Sequence, residues 1–234
     1  MLLKSKISGV KIHSDEWHTS RLAKFTSSEI HFLIGSGAMG YIRRKVGEEL
    51  TGKPAKGEID TEATRWGGFY ESEAITKFGQ HLGLEFLIVQ QLIVDGRFGG
   101  TPDALIPIRE SPDKTEYEVE TVEVKCPPTF DNYIALFECE SSEDLKAVNK
   151  MYYWQVLDQM ELCGSLAGYF VVYHPDFRAG NLRVIRIVAN SPVEVKGKKT
   201  YPVHEDLKLL RQKKKWAEEE FDKLRSKLMS VPAV

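Results

Sequence analysis

Hydrophobic positions along the chain follow two periods, one helical and one of two residues, which succeed each other in a definite order. Thr26-Ser27-Ser28-Glu29 has the Thr-x-x-Glu form of a capping box ahead of Ile30, Leu33 and Ile34, which predicts a short helix starting near Ser27. Further helices are expected over Ala38–Leu50 and from Thr61 to about Leu82. In the latter, Glu71, Ile75, Phe78 and Leu82 fall at i, i+4, i+7 and i+11, which sets a carboxylate in line with an apolar stripe. Gly67 and Gly68 within it each cost about 1 kcal/mol relative to Ala, and so point to close packing or a bend.

Residues 84–94 are apolar and β-branched and end at the turn signal Asp95-Gly96, which predicts one strand. Asp103–Ile108 and Tyr117–Lys125 predict two more, joined by the polar segment 109–116. A period of two places Glu123 and Lys125 on one face and Val122 and Val124 on the other. After Pro127-Pro128, Glu143–Leu162 reads as one long helix with Val148, Tyr152, Gln155 and Gln159 on a shared face. Strands over Ala167–Tyr173 and Leu182–Ala189 follow. Last comes a helix over Glu205–Met229, whose stripe of Leu207, Leu210, Ala217, Phe221, Leu224 and Leu228 is broken by Lys214 and is expected to pack on its own domain. The order is that of an α/β chain with a central mixed sheet flanked by helices. No repeat, low-complexity tract or long linker divides it, so residues 1–234 are expected to form a single domain.

Composition narrows the function classes. With 234 residues, 28 % charged and 42 % hydrophobic, collagen-like, coiled-coil-only and wholly disordered chains are excluded. A chain of this length buries roughly 70–75 % of its unfolded surface and needs no staple, so any metal is chemical rather than structural. Cys126, Cys139 and Cys163 are too few and too far apart for a disulfide framework, a zinc ribbon or a four-thiolate cluster, which fits a reducing cytoplasm. No apolar run is long and uninterrupted enough for a membrane span, and Lys4 and Lys6 leave no signal-peptide core before Asp15. The net charge of −2 neither demands nor forbids a polyanionic partner. Basic runs such as Arg43-Arg44-Lys45, Lys53 with Lys56, Lys196 to Lys199 and Arg211 to Lys215 read as solvated faces. His13, His18, His31, His81, His174 and His204 show no metal-ligand spacing and read as surface or packing residues.

The chemistry lies between residues 99 and 125. Asp103 follows Gly99-Gly100-Thr101-Pro102, and Glu123-Val124-Lys125 comes twenty residues later at the end of a neighbouring strand. Asp103, Glu123 and the Val124 carbonyl offer three hard oxygens suited to Mg²⁺, with Lys125 beside it to orient a water or, with a lowered pKa, to take its proton. Such a site hydrolyses phosphodiesters. Glu71 on its apolar stripe is costly when ionised unless it meets a cation.

These residues resemble the PD-(D/E)xK nuclease signature, and the likeness extends to the lambda exonuclease and YqaJ-type viral recombinase family. Its segments run in order from Trp17-His18 with Arg21-Leu22 and Thr26-x-Ser28-Glu29-Ile30, through Trp66-Gly67 with Tyr70-Glu71, Pro102-Asp103 and Glu123-Val124-Lys125-Cys126-Pro127, to Gln155-Val156 with Met160 and Tyr173-x-Pro175. The resemblance implies a restriction-endonuclease-like core. It implies that Asp103, Glu123 and the Val124 carbonyl bind Mg²⁺ (with Mn²⁺ as substitute), that Glu71 joins directly or through water, and that Lys125 acts on the water. It further implies a 5′-phosphate pocket of Arg21, Ser28, Thr101 and Gln155, Thr101 replacing the family's serine. The implied activity is 5′-to-3′ exonucleolytic digestion of one strand of linear duplex DNA, leaving 3′ overhangs for single-strand-annealing recombination. The implied partners are DNA ends, two further copies in a ring-shaped homotrimer and an annealing protein, in the cytoplasm of a phage's bacterial host. The residues alone leave open an endonuclease on the same fold and a non-catalytic DNA-binding module.

Overall fold

The computed structural model describes residues 10, 12, 14–55, 61–85, 87–110, 117–189, 194–195, 198–199 and 203–231. In chain order the first half holds α1 (Asp15–Arg21), β1 (Phe25–Thr26), a 3-10 turn (Ser27–Glu29), α2 (His31–Ile34), α3 (Ala38–Thr51), α4 (Glu62–Leu82), β2 (Ile88–Val89), β3 (Ile93–Asp95), β4 (Phe98–Gly100) and β5 (Ala104–Glu110). There follow β6 (Tyr117–Lys125), α5 (Phe130–Phe137), α6 (Ser142–Val148), α7 (Lys150–Cys163), β7 (Ala167–Tyr173), β8 (Leu182–Val188), β9 (Glu194–Val195), β10 (Lys198–Lys199) and α8 (Val203–Met229). Lys4, Lys6, His13, Lys56, Lys196 and much of the 109–116 connection lie outside the described residues.

Five strands make one sheet in the order β2-β5-β6-β7-β8. Within it only β6 and β7 run parallel, and a parallel pair needs a long crossover, which α5, α6 and α7 supply. A smaller sheet orders β1-β4-β3. The central sheet is covered on both faces. Val122, Val124, Tyr169 and Val171 meet Ala74, Ile75 and Phe78 of α4, while Phe170 and Val172 join Val156, Leu157 and Met160 of α7. Leu207, Leu210, Ala217 and Phe221 of α8 extend the α7 side, with Leu224 partly buried against them, so most of the C-terminal stripe packs on this core, while its last member, Leu228, is exposed. The mixed sheet between helices is thus the expected architecture, and the alternation along β6 turns Glu123 and Lys125 to the α7 side.

Several local expectations are corrected. Residues 84–94 are two short strands in different sheets, because the chain turns at Gln90, whose φ is 49°. The helix expected over 143–162 is two, broken at Asn149, whose side chain caps α7 by accepting from the Met151 and Tyr152 amides. No capping box closes at Thr26: Glu29 instead pairs with Arg44 at 2.8 Å, and a 3-10 turn forms. An added Cβ at Gly67 or Gly68 would meet nothing within 4 Å, so close packing does not explain them. Leu82 leaves its stripe for solvent, and α5 carried no advance signal. The basic runs are not wholly solvated either, since Lys45 is buried against Glu48 and Lys214 against Asp158.

Candidate active site

The β5–β6 ladder places the first acid. The Asp103 amide donates to the Val122 carbonyl at 3.0 Å, and its Oδ2 accepts from the Val124 amide at 2.7 Å, which locks the carboxylate onto the end of β6. Across the ladder from Asp103, Glu123, 1 % exposed, has its carboxylate surrounded by donors. Its Oε1 accepts from Lys125 Nζ and from Gln155 Nε2 (2.5 Å), and its Oε2 accepts from Gln159 Nε2 (2.5 Å). The Lys125 ammonium stands 5.1 Å over the Tyr152 ring. Glu71, on α4, accepts from Gln90 Nε2 at 2.6 Å, while the Gln90 amide donates to the Asp103 carbonyl at 3.1 Å.

These charges perturb one another. Burial raises the Asp103 carboxyl well above the usual carboxylate range, and repulsion from Glu123 and Glu71 adds to it, with Lys125 opposing. Burial pulls the Lys125 ammonium down, but Glu123 and Asp103 together more than offset it and the net displacement is upward. The lysine is therefore held charged by these two carboxylates. The Cys126 thiol is pushed up to about 12 by burial, then by Glu71 and Asp103, and stays protonated.

A cavity of about 180 Å³ opens at this point. Arg21, Ser28, Thr101 and Gln155 line it, as do Glu71 and Asp103, so the expected phosphate-binding group and part of the expected metal-binding group share one cavity. Glu123 lies one layer behind, bonded to the lining residues Gln155 and Gln159, with Lys125 on its carboxylate. The Arg21 guanidinium lies 4.0 Å over the Trp17 ring, and burial lowers its pKa against the pull of Tyr41 and Glu29. Such a desolvated cation gains from an anion, which a guanidinium engages bidentately. Thr101 Oγ1 is buried with no hydrogen-bond partner among the described residues, so its hydroxyl is available to a ligand. Gln155 differs from expectation in that its amide nitrogen is given to Glu123.

The donor set around Asp103 consists of carboxylate and carbonyl oxygens, which suits a hard divalent cation. Among the described residues no three His, Cys, Asp or Glu side chains close on one point as a ready-made metal site. The reason is local: Glu71 is turned to Gln90, Asp103 to the Val124 amide, and Glu123 to its lysine and two glutamines. The oxygens fit by kind, and an ion would compete with these donors for them.

The model of the YqaJ-like viral recombinase domain matches residues 16–166, a span that holds every residue assigned to the site. The chain belongs to this family. Its enzyme class comes with that membership: a nuclease of the exonuclease kind. Among solved structures, the YqaJ-family chain resembles an alkaline exonuclease (LHK-Exo) from Laribacter hongkongensis, at 21 % identity and a TM-score of 0.64 over 94 % of this chain and 100 % of that one. The same protein solved with dAMP matches equally well. A phage-related exonuclease from Haemophilus somnus 129PT matches at 15 % identity and a TM-score of 0.65 over 88 % and 96 % of the two chains. These likenesses establish the fold. No curated protein sequence matches. Among the described residues no helix is long and apolar enough to cross a membrane.

Two site residues escaped the sequence. Gln90 was visible only as a polar interruption of an apolar run, and nothing linked it to Glu71. Gln159 sits one turn beyond Gln155 on the same helix face, but only the fold shows that both amides converge on Glu123.

Proposed function

We propose that this YqaJ-family enzyme is a Mg²⁺-dependent exodeoxyribonuclease that degrades one strand of linear duplex DNA from a 5′-phosphorylated end, releasing 5′-mononucleotides and leaving a 3′ overhang for single-strand annealing. The observation that carries the reading is the single cavity lined at once by Arg21, Ser28, Thr101 and Gln155 and by the carboxylates of Glu71 and Asp103. The complex of LHK-Exo with dAMP supports a mononucleotide as the matching ligand.

Asp103, Glu123 and the Val124 carbonyl would hold Mg²⁺, with Glu71 joining directly or through water. The ion supplies Lewis-acid charge to a phosphodiester and acidifies a water. Lys125, kept cationic by Glu123 and Asp103, orients that water with its ammonium. Arg21 grips the terminal phosphate through its planar fork, assisted by the hydroxyls of Ser28 and Thr101. A terminal phosphate carries more charge than an internal one, so the cavity favours the freshly cut end and draws the strand forward. Gln155 borders both regions, with its amide on Glu123 and its position on the cavity wall. The resemblance extends the proposal to a ring-shaped homotrimer and an annealing partner, which sedimentation mass and co-purification test.

The deciding experiment is a time course on end-labelled linear duplex with and without 5′-phosphate and Mg²⁺, beside a covalently closed circle. Mononucleotides should appear from the phosphorylated linear substrate in Mg²⁺ alone. Digestion of the circle would make the enzyme an endonuclease. Absence of acid-soluble nucleotide in every lane would leave a DNA-binding module.

A further inference from the structure

A buried chain of polar groups runs from the cavity to the C-terminal helix. Ser27 and Ser28 are neighbours in the 3-10 turn and both border the cavity, but Ser28 is exposed there while Ser27 is 2 % exposed and has its hydroxyl turned inward to Asp158. The Ser27 hydroxyl donates to Asp158 Oδ2 at 2.7 Å. Asp158, on α7, is fully buried, and its Oδ1 accepts from Lys214 Nζ of α8 at 2.9 Å. Lys214 also donates to Glu161 at 2.7 Å and stands 4.4 Å over the Phe98 ring. Gly100, on the cavity wall, leaves the space that the Ser27 hydroxyl occupies, since a Cβ there would overlap it.

A buried ion pair is seldom more stabilising than apolar side chains of the same volume. A lysine breaking the apolar stripe of α8 to meet an aspartate on α7 therefore calls for a reason other than stability. The site above supplies one. Asp158 is a single side chain away from the turn expected to receive a phosphate dianion, and unpaired it would repel that anion. Burial drives its carboxyl upward in pKa, and Lys214 is the largest influence restoring the charged form that Ser27 binds.

We propose that Lys214 and Asp158 are positioning residues for the phosphate pocket: the pair holds Ser27 inward, so that Ser28 faces the 5′-phosphate, and cancels the negative charge beneath that anion. The inference rests on the reading of the cavity as the 5′-phosphate site. Its range exceeds the matched family span, because Lys214 lies outside residues 16–166.

The test compares kcat/KM on duplexes with 5′-phosphate and with 5′-hydroxyl ends for the wild type, Lys214→Met, Ser27→Ala and Lys214→Arg, alongside melting temperatures. Lys214→Met and Ser27→Ala should lower the phosphate-to-hydroxyl ratio about tenfold, mostly through a higher KM on phosphorylated ends, while Lys214→Arg should hold it within about threefold. A folded Lys214→Met or Ser27→Ala protein with the wild-type ratio overturns the proposal, even with a lowered melting temperature, because the pair is then only structural. If Lys214→Met does not fold, Ser27→Ala decides, since it leaves the ion pair in place. A wild type with no phosphate preference overturns the pocket reading itself, a result distinct from a preference that the variants keep.

Discussion

Replacing Gly100 by Ala adds one methyl group at a crowded point of the site. That carbon would overlap the Ser27 hydroxyl and approach Leu162 Cδ1 to 3.1 Å and Ser27 Cβ to 3.2 Å, and both neighbours are buried. The serine must give way, and its hydrogen bond to the buried Asp158 carboxylate goes with it. Loss of a hydrogen bond to a charged group costs about 1.5–3 kcal/mol, and the remaining overpacking about 1–2 kcal/mol more. The sum, about 2.5–5 kcal/mol, should lower the melting temperature by on the order of 10 °C in a chain of this size. Thermal unfolding followed by circular dichroism measures it, and a second substitution tests the cause. In Ser27→Gly the hydroxyl is gone, so adding Gly100→Ala to it should cost no more than about 1 kcal/mol beyond Ser27→Gly alone. Two losses that simply add would mean that the methyl clashes with something other than Ser27, and the account of the turn would be wrong.

Four other outcomes are expected. Glu123→Gln should abolish nucleotide release, because an amide is a poor ligand for a hard cation, and Mg²⁺ titration by calorimetry should lose most of its heat; full activity would remove Glu123 from the site. Asp103→Asn should melt above the wild type at pH 8 in chelator, by on the order of 3–9 °C for about 1–3 kcal/mol, and equal it near pH 4. The sign follows from the raised carboxyl: the folded state keeps its proton more tightly than the unfolded chain, so stability falls as pH climbs from about 4 through the raised value, and the neutral amide escapes that fall. Gln90→Gly should melt within about 3 °C of the wild type, since relief of the positive φ, about 1 kcal/mol, offsets the lost bond to Glu71, while turnover drops; unchanged turnover would detach Glu71 from the chemistry. Arg21→Ala should erase the preference for phosphorylated ends, read as the ratio of initial rates, and an unaltered ratio would count against its place in the pocket.

The fold was legible where the periodic signal was long. The runs behind α3, α4, β6, β7 and α8 each repeat one period for seven residues or more, and the elements formed within a residue or two of expectation. Breaks were not legible. Asn149 splits a helix whose apolar pattern runs straight through it, because the break lies in a backbone angle and in a side chain that caps the following turn. Gln90 likewise redirects an apolar run by adopting a positive φ that its residue type does not announce. In the site, Glu71, Asp103, Glu123 and Lys125 could be named because each keeps a fixed place relative to a strand or a stripe. The glutamines on Glu123 and the serine on Asp158 could not, since those meetings depend on how α7 lies across β6 and against the 3-10 turn. Lys214 did mark itself by interrupting a hydrophobic stripe, but the sequence held no sign of its partner.

The placement of that lysine bears on how the enzyme can be shortened. Sequence similarity to the family stops at residue 166, which invites a fragment trimmed at that boundary. Such a fragment would uncover the landing area of Leu207, Leu210, Ala217 and Phe221 and strand the Asp158 carboxylate without its counter-ion. Minimal versions of this nuclease therefore have to carry the last helix, or else exchange Asp158 for a neutral residue and resurface the ground that α8 covers.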